Sequence, residues 1–174
     1  MQRIIIATAA ALVLAAPASA QESARERIAE EYPELELVYV SRVNIGAPLT
    51  IGETARGNRR LIPITGGSFE GPEMRGEVLP MGWDWQLDRG DGCTQIIADY
   101  FLRTDDGAVI NIVNAGTLCP PDADGNPRPA RTSPVFEPPL GKYEWLGQGG
   151  FIGTIGFDPA ASEPHVVITV YRAK

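Results

Sequence analysis

The stretch "CTQIIADYFLRTDDGAVINIVNAGTLC", Cys93 to Cys119, places two apolar-rich runs on either side of Thr104-Asp105-Asp106-Gly107-Ala108. Two Asp residues suit a type I turn, and a following Gly takes the left-handed position that closes a three-residue loop. The stretch therefore predicts an antiparallel hairpin in which Thr104 faces Ala108.

The same register makes a prediction about the cysteines. Counting outward from Thr104 and Ala108 along both strands brings Cys93 opposite Cys119. Facing residues in an antiparallel pair have Cα atoms about 4.5 to 5.5 Å apart, which suits a disulfide. We predict a Cys93–Cys119 bridge worth about 3 kcal/mol. A bulge near Gly92 or Gly116 would shift this register, and a reducing compartment would leave two free thiols.

The rest of the chain also indicates strands. Its 174 residues suit one domain, and 19 Gly and 15 Pro separate short apolar runs. Gly66-Gly67 indicates a sharp bend at a barrel corner. We expect nine or ten strands in a sandwich or an up-and-down barrel. They include the two hairpin strands and segments 35–43, 59–71, 74–80, 83–89, 142–147, 151–157 and 165–172.

The N-terminus predicts export. Arg3, an apolar run to Ala15, and Ala18-Ser19-Ala20 together have the form of a secretory signal peptide. We expect residues 1–20 to be cleaved after Ala20, and the mature protein to be periplasmic or secreted. A buried N-terminal helix is the alternative. Residues 21–34 predict a short helical extension, and residues 35–174 form the β domain. No later segment is long enough to span a bilayer as a helix.

The charge balance narrows the class of partner. The chain carries 22 Asp and Glu against 15 Lys and Arg, a net charge of −7 at pH 7. An acidic surface repels phosphate backbones and anionic lipid, so we expect no nucleic-acid partner. A small molecule is the expected partner, and the oligomeric state is left open.

One acid stands between two tryptophans in Trp83-Asp84-Trp85. Successive side chains of a strand point to opposite faces, so both tryptophans share one face and Asp84 takes the other. Periodicity alone favours tryptophans in the core and the acid in water. In a barrel the acid's face would instead be the lumen.

The strand after this motif has two faces of different character. One face carries Ile96, Ala98, Tyr100 and Leu102, and the other carries Ile97, Asp99, Phe101 and Arg103. The mixed second face suits a wet, aromatic-lined pocket, and it suits an ordinary surface equally well.

Four short motifs carry a family resemblance. They are Gly66-Gly67-Ser68-Phe69-Glu70-Gly71-Pro72, Gly76-Glu77-Val78, Asp84-Trp85-Gln86 and the turn from Thr104 to Ala108. Together they resemble the domain of unknown function 3237 family of bacterial and fungal proteins, from about Leu37 to Arg172. The resemblance implies an all-β fold, a single closed antiparallel up-and-down β-barrel that is lipocalin-like in shape, with a central pocket. It implies no cofactor and no settled reaction.

In such a barrel Asp84 would point into the lumen with Gln86 beside it. A carboxyl in a partly apolar cavity has a raised pKa and can act as an acid or base. The candidate catalytic residues are therefore Asp84, with Asp99 or Arg103 as its partner. The candidate ligand-binding residues are Gln86, Trp85, Phe101 and Tyr100.

The sequence lacks the residues that several other kinds of functional site require. His165 is the only histidine, so a histidine-rich metal site is excluded, and no Gly-x-Ser-x-Gly elbow is present. No phosphate loop or dinucleotide fingerprint appears, and we expect neither metal nor cofactor. We expect a protein that binds a small, partly apolar ligand. The alternatives are a cofactor-independent isomerase, hydratase or cyclase, and a structural module with a filled barrel.

Overall fold

The computed structural model describes residues 32–157 and 163–174. The predicted signal peptide, residues 1–20, and most of the predicted helical extension, residues 21–34, lie outside these ranges. The described end of that extension, residues 32–34, is neither helix nor strand. No helix within the described ranges is long and apolar enough to cross a membrane.

The described residues form ten β-strands and one short 3-10 helix, which spans Glu144–Gly147. The strands are β1 Leu35–Ile45, β2 Leu49–Thr54, β3 Gly57–Glu70, β4 Arg75–Val78, β5 Gly82–Asp88, β6 Thr94–Thr104, β7 Val109–Leu118, β8 Arg131–Glu137, β9 Gly150–Phe157 and β10 His165–Ala173.

The strands close into a barrel. Consecutive strands from β5 to β10 pair antiparallel, β10 pairs with β1, and β1 pairs with β3. Strands β4 and β5 share one place between β3 and β6, one after the other. The ring therefore has eight positions, and β2 adds to it by pairing with β3. The predicted all-β, up-and-down barrel is confirmed.

The paired glycines lie at the predicted corner. Strand β3 pairs with β5 up to Ile64 and with β4 from Gly67 onward. Gly66 and Gly67 have φ values of 131° and 139°, which residues with a side chain rarely adopt. A Cβ atom on Gly67 would also lie 2.0 Å from the carbonyl oxygen of Arg42. The bend therefore requires glycine.

The hairpin register is as predicted. Thr94 faces Leu118 and Leu102 faces Ile110, and the Thr104 N–H donates to the Ala108 carbonyl at 2.9 Å. Cys93 and Cys119 form a disulfide with a Cα–Cα distance of 4.3 Å. No bulge interrupts this pairing between the turn and the bridge.

One end of the barrel is filled with aromatic side chains. The rings of Phe136 and Phe151 meet edge to face with centroids 4.9 Å apart, and Tyr39 packs on Phe69 at 5.4 Å. Leu146 of the 3-10 helix is buried in the same cluster. The prediction of a strand over 142–147 was wrong. This segment turns inward and contains the 3-10 helix, which closes the filled end.

Candidate functional site

Asp84 and its two neighbours lie on opposite faces of β5. The side chains of Trp83 and Trp85 are 43% and 37% exposed on the outside of the barrel. Asp84 lines the interior. The interpretation that periodicity favoured, with the tryptophans in the core, was therefore wrong. Trp85 keeps partial cover, since the Arg59 guanidinium lies 5.6 Å from its ring centroid.

The interior around Asp84 is a cavity of about 240 Å³. It lies at the end of the barrel where β1, β7 and β9 finish, because Ile45, Leu118 and Phe157 are lining residues. The disulfide lies at this same end, directly before β6 and after β7. The other apolar lining residues are Val43, Ile62, Ile64, Ile96, Ala98, Ile155, Val166 and Ile168. Its polar lining residues are Asp84, Gln86, Tyr100 and Asn114.

The carboxylate of Asp84 is held by two donors. Its Oδ2 accepts a hydrogen bond from Gln86 Nε2 at 2.7 Å, and its Oδ1 accepts one from the Ile97 backbone N–H at 3.1 Å. Gln86 Oε1 in turn accepts from Arg60 Nε at 2.8 Å. This chain of bonds fixes the amide of Gln86 so that its N–H groups face Asp84.

Burial raises the pKa of Asp84. The hydrogen bonds from Gln86 and Ile97 and the charge of Arg60 act in the opposite direction, but desolvation is the largest effect. A carboxyl in this position exchanges its proton closer to neutral pH than an exposed Asp does. The site can therefore hold a proton or a charge on a largely apolar wall.

Two more polar side chains of the lining are buried. Asn114 is 2% exposed, and its side-chain oxygen accepts no hydrogen bond from a described residue. The Tyr100 hydroxyl has the Tyr39 hydroxyl as its neighbour, and burial raises the pKa of Tyr100. Buried polar groups without partners are rare in folded proteins, so the Asn114 oxygen sets this wall apart from an ordinary core.

Asn114 lies in the same cross-strand row as Asp84. Asp84 on β5 faces Ala98 on β6, and Ala98 faces Asn114 on β7. The small side chain of Ala98 leaves the space between the two polar groups open. Asn114 was not predicted from the sequence, although a polar residue in phase with Ile110 and Ile112 was the available signal.

Four of the predicted site residues lie outside the cavity. Asp99 accepts a hydrogen bond from Asn111 Nδ2 at 2.8 Å, and Arg103 forms an exposed ion pair with Glu77. Phe101 and Trp85 also lie on the outside of the barrel, because alternate residues of β6 and β5 point away from the lumen. The structure therefore does not bring Asp99, Arg103, Phe101 and Trp85 into this cavity. Asp84, Gln86 and Tyr100 do come together there.

Residues 32–157 and 163–174 contain no group of three or more His, Cys, Asp or Glu side chains that could hold a metal ion. The cavity lining itself contributes one carboxylate and no histidine or cysteine.

The fold and the site define a class of protein: a closed antiparallel β-barrel that is filled at one end and hollow at the other. The chain belongs to the family described as protein of unknown function (DUF3237), whose sequence model matches residues 33–173. The resemblance predicted from the four motifs is confirmed.

Known relatives share both the sequence and the fold. A UPF0311 protein of Rhodopseudomonas palustris (strain TIE-1) is 37% identical over 153 residues, which are 80% of this chain and 97% of the relative. The crystal structure of a conserved protein of unknown function from Rhodopseudomonas palustris is 35% identical, with a TM-score of 0.70, covering 82% of this chain and 99% of that one. A beta-barrel like protein from Acinetobacter baumannii AYE is 32% identical, with a TM-score of 0.71, covering 81% and 96%.

Proposed function

We propose that this protein binds a small, partly apolar molecule in the end cavity of its barrel. The observation that carries the proposal is the hollow of about 240 Å³, whose polar lining includes the carboxylate of Asp84 and the side chain of Asn114. Apolar walls with a few convergent polar groups are typical of small-molecule sites. The volume equals the liquid volume of about eight water molecules, which limits the ligand to a small one.

The contrast between the two barrel ends supports this proposal. Protein interiors are normally packed as closely as organic crystals, and the aromatic end follows that rule. The hollow end instead surrounds an open space with apolar side chains and the carboxylate of Asp84. A structural module with a filled barrel has no need for such a space, so the cavity favours ligand binding over this alternative.

Binding can be tested with hexan-1-ol as a probe and amide chemical shifts as the readout. We expect shifts to change at amides of β5, β6 and β7 that flank the cavity. Ala98→Leu places a larger side chain between Asp84 and Asn114 and should abolish the response. Ala115→Leu makes the same change on the outer face of β7 and serves as its control. A wild-type protein that gives no response, or a response outside the cavity, would overturn the proposal.

A second function draws on the proton chemistry of Asp84. Burial raises the pKa of this carboxyl beside an apolar space, which suits a general acid or base in an isomerase, hydratase or cyclase without a cofactor. Tyr100 is the other titratable residue of the cavity lining. Incubation with a small-molecule extract tests this function: conversion by wild type but not by an Asp84→Asn variant that still binds hexan-1-ol would favour the enzyme.

We also propose that the protein is exported to the periplasm or secreted. The Cys93–Cys119 bridge supports this proposal, because disulfides persist in oxidising compartments and are rare in the cytosol. The mass of the protein purified from a cell envelope fraction tests it. A chain starting at Gln21 and lacking two hydrogens is expected, whereas a full-length reduced chain from the cytosol would contradict it.

A further inference from the structure

The cavity lining carries one charged group. Asp84 accepts two hydrogen bonds and retains lone pairs. The other polar side chains of the lining are those of Gln86, Asn114 and Tyr100, which are neutral and carry donors as well as acceptors. A ligand that brings a positive charge therefore complements this site best.

The lining contains no cation to balance Asp84. None of its residues is Lys, Arg or His. Arg60 is the charged group that acts on Asp84 from β3, but its Nε donates to Gln86 and its NH1 pairs with Asp88. A buried carboxylate without a direct ion pair is unfavourable, and a cationic ligand relieves that cost.

The geometry also leaves room for a cationic head. Neighbouring strands lie about 4.8 Å apart, so Asp84 and Asn114, two strands apart, have Cα atoms separated by about 10 Å. The methyl group of Ala98 lies between them. An ammonium group has three donors for the free lone pairs of Asp84, while an apolar body extends toward Leu118 and Phe157 at the end of the barrel.

We propose that the cavity selects small organic amines, in which a protonated nitrogen binds between Asp84 and Asn114 and an apolar body fills the rest of the space. The inference rests on the proposed binding function and adds the chemical class of the ligand. Carboxylic acids of the same size are excluded, because their charge has the same sign as that of Asp84.

Three probes of equal length test the choice of head group: hexan-1-amine, hexan-1-ol and hexanoate. We expect the amine to bind wild type about tenfold more tightly than the alcohol at neutral pH, because a hydrogen bond between two charged groups outweighs a neutral one. Hexanoate should bind least. In Asp84→Asn the ratio of the amine affinity to the alcohol affinity should fall to about one. Asp99→Asn removes a carboxylate from the outer face and should change nothing.

A pH titration of wild type provides a second measurement that needs no variant. The groups that act on Asp84 are Arg60 from β3 and Tyr100 from β6, and Tyr39 of β1 acts on Tyr100 in turn. Neither tyrosine ionises near neutral pH, because burial raises both pKa values. The preference for amine over alcohol should therefore fall as the pH drops through the pKa of Asp84.

The outcomes separate the two proposals. If the alcohol binds and the amine has no advantage, or if its advantage survives in Asp84→Asn, the amine inference fails and the binding function stands. If neither probe binds, both proposals fail.

Discussion

The phenol of Tyr143 donates a hydrogen bond to the carboxylate of Asp106, whose two oxygens lie 3.0 and 3.1 Å from it. Asp106 lies in the turn between β6 and β7, and Tyr143 directly precedes the 3-10 helix. Lys142 adds a salt bridge to the same carboxylate at 2.6 Å. The hairpin turn therefore anchors the segment that closes the filled end of the barrel.

This contact predicts a loss of stability at neutral pH when Asp106 is replaced by Asn. The hydrogen bonds from Lys142 and Thr104 hold the pKa of Asp106 well below its usual range. Its contribution is present above the unfolded-state pKa and is lost as pH falls toward the folded-state pKa. Urea unfolding should show Asp106→Asn below wild type at pH 7, with the gap closing in acid. Asp105→Asn is the matched control, since Asp105 pairs with the exposed Arg75. A gap that does not change with pH would contradict this account.

Asp84 predicts the opposite trend with pH. Burial raises its folded-state pKa, so its contribution to stability is complete below the unfolded-state pKa and is lost as pH rises through the folded-state value. Wild type should therefore lose stability relative to Asp84→Asn from about pH 4 upward. Urea unfolding of both proteins across this range measures the difference, with Asp99→Asn as the control on the outer face. A difference that stays constant would show that Asp84 titrates as it does in the unfolded chain.

The Cys93–Cys119 bridge predicts a large effect on stability. The bridge closes a loop between two cysteines that are 26 positions apart in sequence. Replacing both cysteines by Ser opens this loop and should lower the free energy of unfolding by about 3 kcal/mol. Denaturant unfolding of the double variant gives the value. Wild type held in reductant should reproduce it, and equal stability of oxidised and reduced protein would refute the expectation.

The corner of β3 predicts that Gly67 cannot be replaced. Gly67→Ala places a Cβ atom 2.0 Å from the Arg42 carbonyl oxygen at a φ of +139°, so we expect a loss of more than about 2 kcal/mol. A Cβ atom on Gly90 would have open space around it, and its φ is not positive, so Gly90→Ala should leave the thermal midpoint nearly unchanged. Similar midpoints for the two variants would mean that the corner relaxes.

Local sequence was sufficient for the hairpin but not for the inner face of the barrel. The Asp-Asp-Gly turn sets the register of β6 and β7, and the register places Cys93 opposite Cys119. The alternation in Trp83-Asp84-Trp85 is the same whether the tryptophans or the acid face the inside of the barrel. Which face is inside is decided when the barrel closes through the pairing of β1 with β10, and no short segment specifies that pairing.

Two strands, β2 and β8, were not predicted from the sequence. Strand β8 contains Pro134, a residue that disfavours strands, yet β8 pairs with β9 over only Arg131 and Thr132, so most of it has one bonded neighbour. Strand β2 is short, and it forms a hairpin with β3 in which Thr54 faces Gly57. Strand β8 depends on partners more distant in sequence, and Asn114 likewise gains its importance from Asp84 across two strands.

The division of the barrel into a packed end and a hollow end has an evolutionary consequence. The aromatic cluster, the anchored turn and the glycine corner stabilise the fold without lining the cavity, whereas ligand choice would depend on a few side chains near Asp84. Substitutions of cavity-lining side chains can therefore alter specificity while these stabilising features are preserved. One ancestral scaffold can in this way diversify into receptors for different compounds, and a designer can use the same separation to install a new ligand site.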